Sequence, residues 1–304
     1  MNILKAYSNF ASENEAKLFV EECERHFEER LDRVAKRVGE DHKVRIVALS
    51  GPSCSGKTTT AKKLISELEA LGRNVHVVSI DDFYYDRSYL QARAAEDPDI
   101  EVDYDSVSTI DLPALVECIE EIFSDGKTLI PKYDFNSGKR SGYTEFEPSD
   151  DDLFIFEGIQ AIYPEITELF EKHPSVSVYI CVESGIEMNG VVFDPNEIRM
   201  LRRIVRDYHF RSASPEFTMY LWKSVRSNED KNIFPYVKNC NMHIDSAMAF
   251  EINLLKPYLE KILSEISADS EFIGTARSII EKIKDIQPIP REYLSENSLY
   301  YEFI

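Results

Sequence analysis

Cysteine is scarce in this chain of 304 residues, and the five cysteines that occur are far apart. Their number is odd, and no two of them form a C-x-x-C pair. This pattern argues against a disulfide framework and against a zinc site built from cysteine pairs. We therefore expect reduced thiols and a cytoplasmic protein. The cysteines are Cys23, Cys54, Cys118, Cys181 and Cys240.

Positive charge is also in short supply. The chain has 35 lysines and arginines against 55 aspartates and glutamates, which gives a formal net charge of −20 at pH 7. Binding to a nucleic-acid backbone depends on clustered cations, so this balance predicts that nucleic acid is not a partner. A small anionic ligand in a local basic pocket is still compatible with the composition.

Long hydrophobic runs are absent as well. The longest apolar stretches, such as residues 44–49, are far too short to cross a bilayer. Residues 1–8 lack the apolar region and cleavage site of a secretory signal. The sequence therefore predicts neither a membrane partner nor export.

Short apolar runs alternate with helix-like segments through the middle of the chain. Residues 44–49 form a β-branched run typical of a buried parallel strand. Strands that alternate with helices predict an α/β fold with a mostly parallel sheet between helical layers, α/β/α, and with ligands beyond the carboxyl ends of the strands. Further strands are expected at 75–80, 153–156 and 176–182, a β-hairpin insertion around 137–142, and helices over 111–123, within 190–246, and over 250–266 and 276–283.

Residues 51–58 read GPSCSGKT and satisfy the pattern G-x-x-x-x-G-K-[ST] of a P-loop. Gly51 and Gly56 let the backbone curl so that consecutive N–H groups point at phosphate oxygens. Lys57 can reach the β- and γ-phosphates, and the Thr58 hydroxyl can bind Mg²⁺. A strand before the motif and a helix after it favour a P-loop NTPase fold. The predicted ATP-binding residues here are Gly51, Pro52, Ser53, Cys54, Ser55, Gly56, Lys57, Thr58 and Thr59.

Two carboxylates follow predicted strands. Asp81 comes directly after the second strand, near the expected γ-phosphate, and is our candidate for the base that takes a proton from an acceptor hydroxyl. Glu157 ends the third strand, where a P-loop enzyme holds Mg²⁺ or its water shell. The alternative for Asp81 is a capping or turn role, and for Glu157 a surface carboxylate at a strand end.

The one dense basic cluster has helical spacing. Arg199, Arg202, Arg203 and Arg206 share one helix face, which the pattern predicts to look outward while an apolar face packs inward. In so acidic a chain, this concentration of positive charge indicates an anionic ligand such as a triphosphate. A solvated face paired with carboxylates is the alternative for Arg199 and Arg202. Arg211 lies just beyond.

Six segments follow one another along the chain: GPSCSGKTT, SIDDFYYDR, DYDS, PKYDFNSGKR, FEGI and RMLRRIVRD. In this order and spacing they resemble the motifs of the uridine kinase and phosphoribulokinase family of P-loop kinases. The similarity runs from about residue 44 to 261. Later segments resemble a bacterial subgroup of uridine kinase-like proteins. Members of that subgroup often carry an N-terminal TGS domain, whereas a short helical leader precedes the kinase segment here. The resemblance also implies assembly into homo-oligomers.

The resemblance implies roles for particular residues. It makes Asp81 the catalytic base and Glu157 the carboxylate near the metal. It places substrate contacts at Asp105, Tyr133, Tyr84 and Arg203, and phosphate-binding lid arginines at Arg206 and Arg211.

Two positions depart from the uridine kinase pattern. Gly138 stands where uridine kinases carry a histidine that contacts the pyrimidine, and Ala213 replaces a second arginine. Without that histidine the case for a strict choice of pyrimidine is weaker.

The sequence and the resemblance together predict an ATP- and Mg²⁺-dependent kinase. The expected acceptor is the 5′-hydroxyl of a nucleoside. The alternatives are another sugar or polyol, and a nucleotide-binding regulator without transfer activity. No N-K-x-D guanine motif supports a GTP switch.

Three segments are expected in the chain. The first, residues 1–43, is a helical extension whose helix begins with the capping-box pair Ser12 and Glu15 and stops near Gly39. The second is a P-loop kinase domain over 44–265. The third is a C-terminal helical extension over 266–304.

Overall fold

The computed structural model describes residues 2–96, 106–124 and 127–304. Its main sheet has five strands, all parallel, in the order β10-β7-β2-β6-β3. Helices flank this sheet, so the predicted α/β fold of the P-loop type is confirmed. The strands are β2 (Ile46–Ser50), β3 (Val75–Ser79), β6 (Leu153–Glu157), β7 (Ser175–Cys181) and β10 (Met242–Asp245).

The central strand β2 shows why the fold has three layers. All five of its residues are buried, and alternate side chains point to opposite faces of the sheet. Val47 and Leu49 join the hydrophobic cluster on one face, whereas Ile46 and Ala48 join the cluster on the other. A strand that is apolar on both sides needs helices on both sides.

Ten helices occur among the residues that the structure describes. The face that contains Val47 is covered mainly by α1, α2, α6, α9 and α10, and the face that contains Ile46 by α4 and α5. The helices are α1 (Glu13–Glu40), α2 (Lys57–Ala70), α3 (Arg87–Glu96), α4 (Leu112–Ile122), α5 (Pro164–Phe170), α6 (Pro195–Arg211), α7 (Pro215–Asn232), α8 (Phe234–Val237), α9 (Glu251–Ser264) and α10 (Ile273–Ile283).

Helix α1 begins as predicted but does not stop at Gly39. The Ser12 hydroxyl accepts a hydrogen bond from the Glu15 backbone N–H at 3.2 Å, which caps the helix. The helix then runs through Gly39 to Glu40. A Cβ on Gly39 would lie 2.6 Å from Cδ1 of Leu71, so this glycine permits close packing of α1 on the end of α2. The helix therefore ends one residue after the stop predicted near Gly39.

The predicted hairpin is present. Strands β4 (Thr128–Asp134) and β5 (Lys139–Phe146) pair antiparallel around a turn that ends at Gly138, whose φ is +67°. The helices expected within 190–246 are present as α6, α7 and α8, and the strand β10 in the same range was not predicted. A second sheet of three short strands, β1 (Ile3–Lys5), β8 (Gly185–Met188) and β9 (Val191–Phe193), was also not predicted.

The helices in the described part of the chain include none that is long and apolar enough to cross a lipid bilayer.

Candidate active site

The phosphate-binding turn connects β2 to α2 and has the backbone conformation of a tight curl. Cys54 and Gly56 both adopt positive φ angles, +60° and +87°. Gly56 takes this left-handed conformation without cost because it has no Cβ. Gly51 is packed against the neighbouring strand, since a Cβ there would lie 2.3 Å from the backbone oxygen of Ile180 in β7. Gly51 therefore meets a packing demand, whereas Gly56 meets both a conformational demand and a packing demand, since a Cβ there would lie 2.3 Å from Cδ1 of Leu299.

Replacing Gly51 by alanine should destabilise the fold and impair binding of ATP. The added Cβ would press on backbone of β7, and such overpacking costs about 1–3 kcal/mol in the free energy of unfolding. Urea denaturation measures this loss. The matched control is Gly274→Ala in α10, where the added Cβ meets nothing within 4 Å and no stability should be lost. Equal stability of the two variants would contradict this steric account.

Lys57 begins α2 and lies beside the carboxyl ends of β6 and β3. Its ammonium group is 3.0 Å from Oε2 of Glu157, and Oε1 of Glu157 accepts a 2.9 Å hydrogen bond from the Ser79 hydroxyl. Burial lowers the pKa of Lys57, but the carboxylates of Glu157 and Asp81 outweigh this and raise it above its usual value. The lysine is therefore held as a cation at this edge of the sheet.

Asp81 lies in a short 3₁₀ turn, Ile80–Phe83, directly after β3. The neighbouring carboxylate of Asp82 accepts a 2.8 Å hydrogen bond from the backbone N–H of Tyr133, which ties this turn to the hairpin. Burial raises the pKa of Asp82. The rings of Tyr84 and Tyr133 lie 5.7 Å apart, and the Tyr84 hydroxyl accepts a hydrogen bond from Gln160. Asp81 and Tyr84 line the same cavity, so Asp81 lies near this aromatic pair.

The arginine face of α6 points inward, toward the phosphate-binding turn. Arg199 and Arg202 are fully buried, so the prediction of an outward face, and its solvated alternative for these two residues, are wrong. Arg199 donates to the Ser53 carbonyl at 3.0 Å and pairs with Glu229. A buried guanidinium is tolerated when carboxylates and carbonyls satisfy its N–H groups.

Arg202 has the same arrangement one turn further along. It donates to the Cys54 carbonyl at 3.2 Å, to the Ser246 carbonyl at 2.9 Å, and to both oxygens of Glu251. Arg199 and Arg202 therefore fix carbonyl groups of the phosphate-binding turn and are structural supports for it.

The remaining arginines, Arg203, Arg206 and Arg211, line a cavity. Arg203 donates to the Ser53 hydroxyl at 3.1 Å, and Arg206 donates to the adjacent Asp207 carboxylate at 2.9 Å. The Arg211 side chain is 58% exposed and lies 3.6 Å from Asp207. All three line one cavity with the phosphate-binding turn.

This cavity, of about 510 Å³, brings together most of the predicted site. Gly56 lies within the turn, Thr59 in the first turn of α2, and Tyr133 packs on Tyr84. Asp105 lies outside the described residues. The predicted residues that line the cavity are Gly51, Pro52, Ser53, Cys54, Ser55, Lys57, Thr58, Asp81, Tyr84, Glu157, Arg203, Arg206 and Arg211.

Two lining carboxylates were not predicted. Glu229 in α7 is buried against Arg199 and also pairs with Arg226, three residues before it. The R-x-x-E spacing of Arg226 and Glu229 is the sequence feature that could have indicated this ion pair. Glu302 comes from the far end of the sequence, and nothing local indicates its place.

Within the described ranges, no group of three or more histidine, cysteine, aspartate and glutamate side chains could hold a metal ion. In kinases, Mg²⁺ is bound through one or two protein oxygens together with substrate phosphates, and such a site does not need a cluster of this kind. Thr58 and Glu157 line the cavity and offer such oxygens.

Comparison with known proteins relates this geometry to a family. A family model described as phosphoribulokinase / uridine kinase matches residues 46–253, which contain the whole parallel sheet and every described residue of the predicted site. The chain belongs to the phosphoribulokinase / uridine kinase family. Members of this family are P-loop kinases, and this membership supports a nucleotide-dependent kinase.

Individual relatives within the family are distant. Uridine-cytidine kinase C of Dictyostelium discoideum is 28% identical over 170 residues, which make up 56% of this chain and 31% of that protein. The uridine kinase of Ureaplasma urealyticum serovar 10 is 26% identical over 200 residues, 66% of this chain and 86% of that enzyme.

A solved structure shares the fold. It is a candidate fructose transport system kinase from Silicibacter sp. TM1040, with a TM-score of 0.52 and 18% identity, covering 70% of this chain and 98% of that one.

Proposed function

We propose that this chain is an ATP- and Mg²⁺-dependent kinase whose leading acceptor is the 5′-hydroxyl of a nucleoside. The observation that carries the proposal is that the phosphate-binding turn, Asp81 and three arginines line the same cavity. The matches to proteins named as uridine and uridine-cytidine kinases support a nucleoside as acceptor.

The backbone N–H groups of the phosphate-binding turn, apart from Pro52, which has none, and the start of α2 would cradle the phosphates of ATP. Such a turn combines free N–H donors with the positive end of the helix dipole. Lys57 would reach the β- and γ-phosphates, and Arg206 and Arg211 would neutralise charge on the migrating phosphoryl group.

Asp81 would act as the base. The acceptor oxygen forms a bond to the γ-phosphorus, the bond from that phosphorus to the β–γ bridging oxygen breaks, and the hydroxyl proton passes to the Asp81 carboxylate. Thr58 and Glu157 would hold Mg²⁺, which would supply positive charge to neutralise the phosphates. Phosphorylated acceptor and ADP are the products.

The acceptor would lie against Tyr84 and Tyr133, with Arg203 toward its sugar. Aromatic rings offer a flat apolar surface to a base or to a sugar ring. Asp105 remains a proposed ligand of the ribose hydroxyls on the strength of the resemblance.

A sugar or polyol acceptor is the second candidate, and Gly138 is the observation in its favour. At φ +67° this position favours glycine, and a Cβ there would lie 2.9 Å from Nε of Arg87. The turn therefore offers no side chain to a pyrimidine at the place where uridine kinases carry histidine. A site without a hydrogen-bonding partner for the base discriminates poorly between bases.

The test is ADP release from ATP with a panel of nucleosides, sugars and polyols, with reactions that lack acceptor as the control. Stimulation by nucleosides is expected, and stimulation by sugars alone would support the second candidate. Binding of ATP with no stimulation by any acceptor would contradict the kinase proposal and favour a nucleotide-binding regulator.

A further inference from the structure

The segment of residues 298–304 lies against the start of α2, beside the phosphate-binding turn. It contains a 3₁₀ turn, Leu299–Glu302. The Glu302 carboxylate accepts two hydrogen bonds from Thr59, one from the backbone N–H at 3.2 Å and one from the hydroxyl at 3.0 Å. Glu302 thereby reaches the site from a position 243 residues away in the sequence.

The first turn of α2 is where a phosphate would bind. The N–H groups at a helix start lack partners within the helix and attract anions. Residue Gly56, which caps α2, has no side chain to offer them. Glu302 is therefore an anion supplied by the chain itself, and its oxygen uses a donor that a phosphate oxygen would also use.

Glu302 also lies within the electrostatic field of the site. It lines the same cavity as Lys57, Asp81 and Arg206. With Thr58 it also lines a neighbouring groove of about 890 Å³ between α1, α2 and residues 295–302, so it stands where the two spaces adjoin. A triphosphate in the cavity would meet a like charge at this boundary.

The backbone of the segment is anchored, whereas the Glu302 side chain is only half-buried. Leu299, Tyr300 and Phe303 are almost completely buried, and the Arg202 guanidinium lies 5.5 Å and 5.1 Å from the centroids of the Tyr300 and Phe303 rings. The carboxylate can consequently rotate away from Thr59 while the rest of the segment stays packed.

We propose that Glu302 is an internal competitor of phosphate, which occupies donors of Thr59 and must leave them when a triphosphate binds. The proposal rests on the proposed function of the cavity as an ATP site. Its consequence is that this segment lowers the affinity for ATP and sets the concentration at which the site fills.

The test is the variant Glu302→Gln, which keeps the size of the side chain, removes its charge and leaves Thr59 only a weaker, neutral acceptor. Isothermal titration with ATP and, separately, with inorganic tripolyphosphate should give dissociation constants about two- to fivefold lower than those of the wild type, in line with the value of a charge at a helix start. The control is Glu296→Gln, which removes the same charge from an exposed position six residues earlier in the sequence. This variant should change neither dissociation constant.

A second variant, Glu302→Asp, keeps the charge but shortens the reach to Thr59, and it should also bind both ligands more tightly. Circular dichroism tests whether Glu302→Gln folds. If it does not fold, Glu302→Asp is used in its place. Unchanged affinities would overturn the proposal. Weaker binding would overturn it too, because Glu302 would then belong to the ATP site as a favourable contact.

The titration contains no acceptor, so its outcome is separate from that of the acceptor panel. Tighter binding by Glu302→Gln without transfer to any acceptor contradicts only the kinase proposal. Transfer with unchanged affinities contradicts only the role of Glu302.

Discussion

Asp81→Asn is expected to lower acceptor-dependent formation of ADP by about 10²–10⁴-fold while ATP still binds with an affinity close to that of the wild type. A positioned base contributes a factor of this size to proton transfer, and asparagine has the shape of aspartate without its basicity. The measurement is steady-state turnover with the best acceptor of the panel, together with titration of ATP alone.

The adjacent residue provides the matched control for this experiment. Asp82→Asn removes a carboxylate one position away, and its amide oxygen can still accept the hydrogen bond from the Tyr133 N–H. Its turnover should stay within a few-fold of the wild type. Near-normal turnover of Asp81→Asn, or an equal loss in both variants, would refute the assignment of Asp81 as the base.

The second large effect concerns the buried pair of Arg202 and Glu251. Glu251→Met is expected to lower the free energy of unfolding by about 3–5 kcal/mol, because it leaves the guanidinium of Arg202 buried without its carboxylate. Urea denaturation followed by circular dichroism measures the loss. The control pair is Arg25 and Glu29 on the exposed side of α1, where Glu29→Met should cost less than about 0.5 kcal/mol.

A double variant separates stability from function at the same place. Arg202→Met with Glu251→Met replaces the ion pair by apolar side chains and should recover most of the lost stability. It should nevertheless bind ATP more weakly, because the hydrogen bond from Arg202 to the Cys54 carbonyl is gone. Stability that is not recovered would show that the pair contributes more than charge compensation.

The parts of the site that the sequence predicts well are local. The phosphate-binding turn is a continuous motif between a strand and a helix, so its glycines, Lys57 and Thr58 could be identified from their spacing. Asp81 and Glu157 could be identified because residues that follow parallel strands meet at one edge of the sheet.

The parts that the sequence misses depend on distant partners. Helical spacing shows that Arg199 and Arg202 share a face, but it does not show that Glu229 and Glu251 cover that face. The strand Met242–Asp245 was missed because it is short and carries polar residues at His243 and Asp245. The contact from Glu302 to Thr59 has no local signal at all.

The two guanidinium groups behind the phosphate-binding turn have a thermodynamic consequence. Because Arg199 and Arg202 already hold the carbonyls of Ser53 and Cys54, the turn is rigid before any ligand arrives. The turn then loses little conformational entropy when a ligand binds. Because of this preorganisation, more of the free energy of each new contact appears as net affinity.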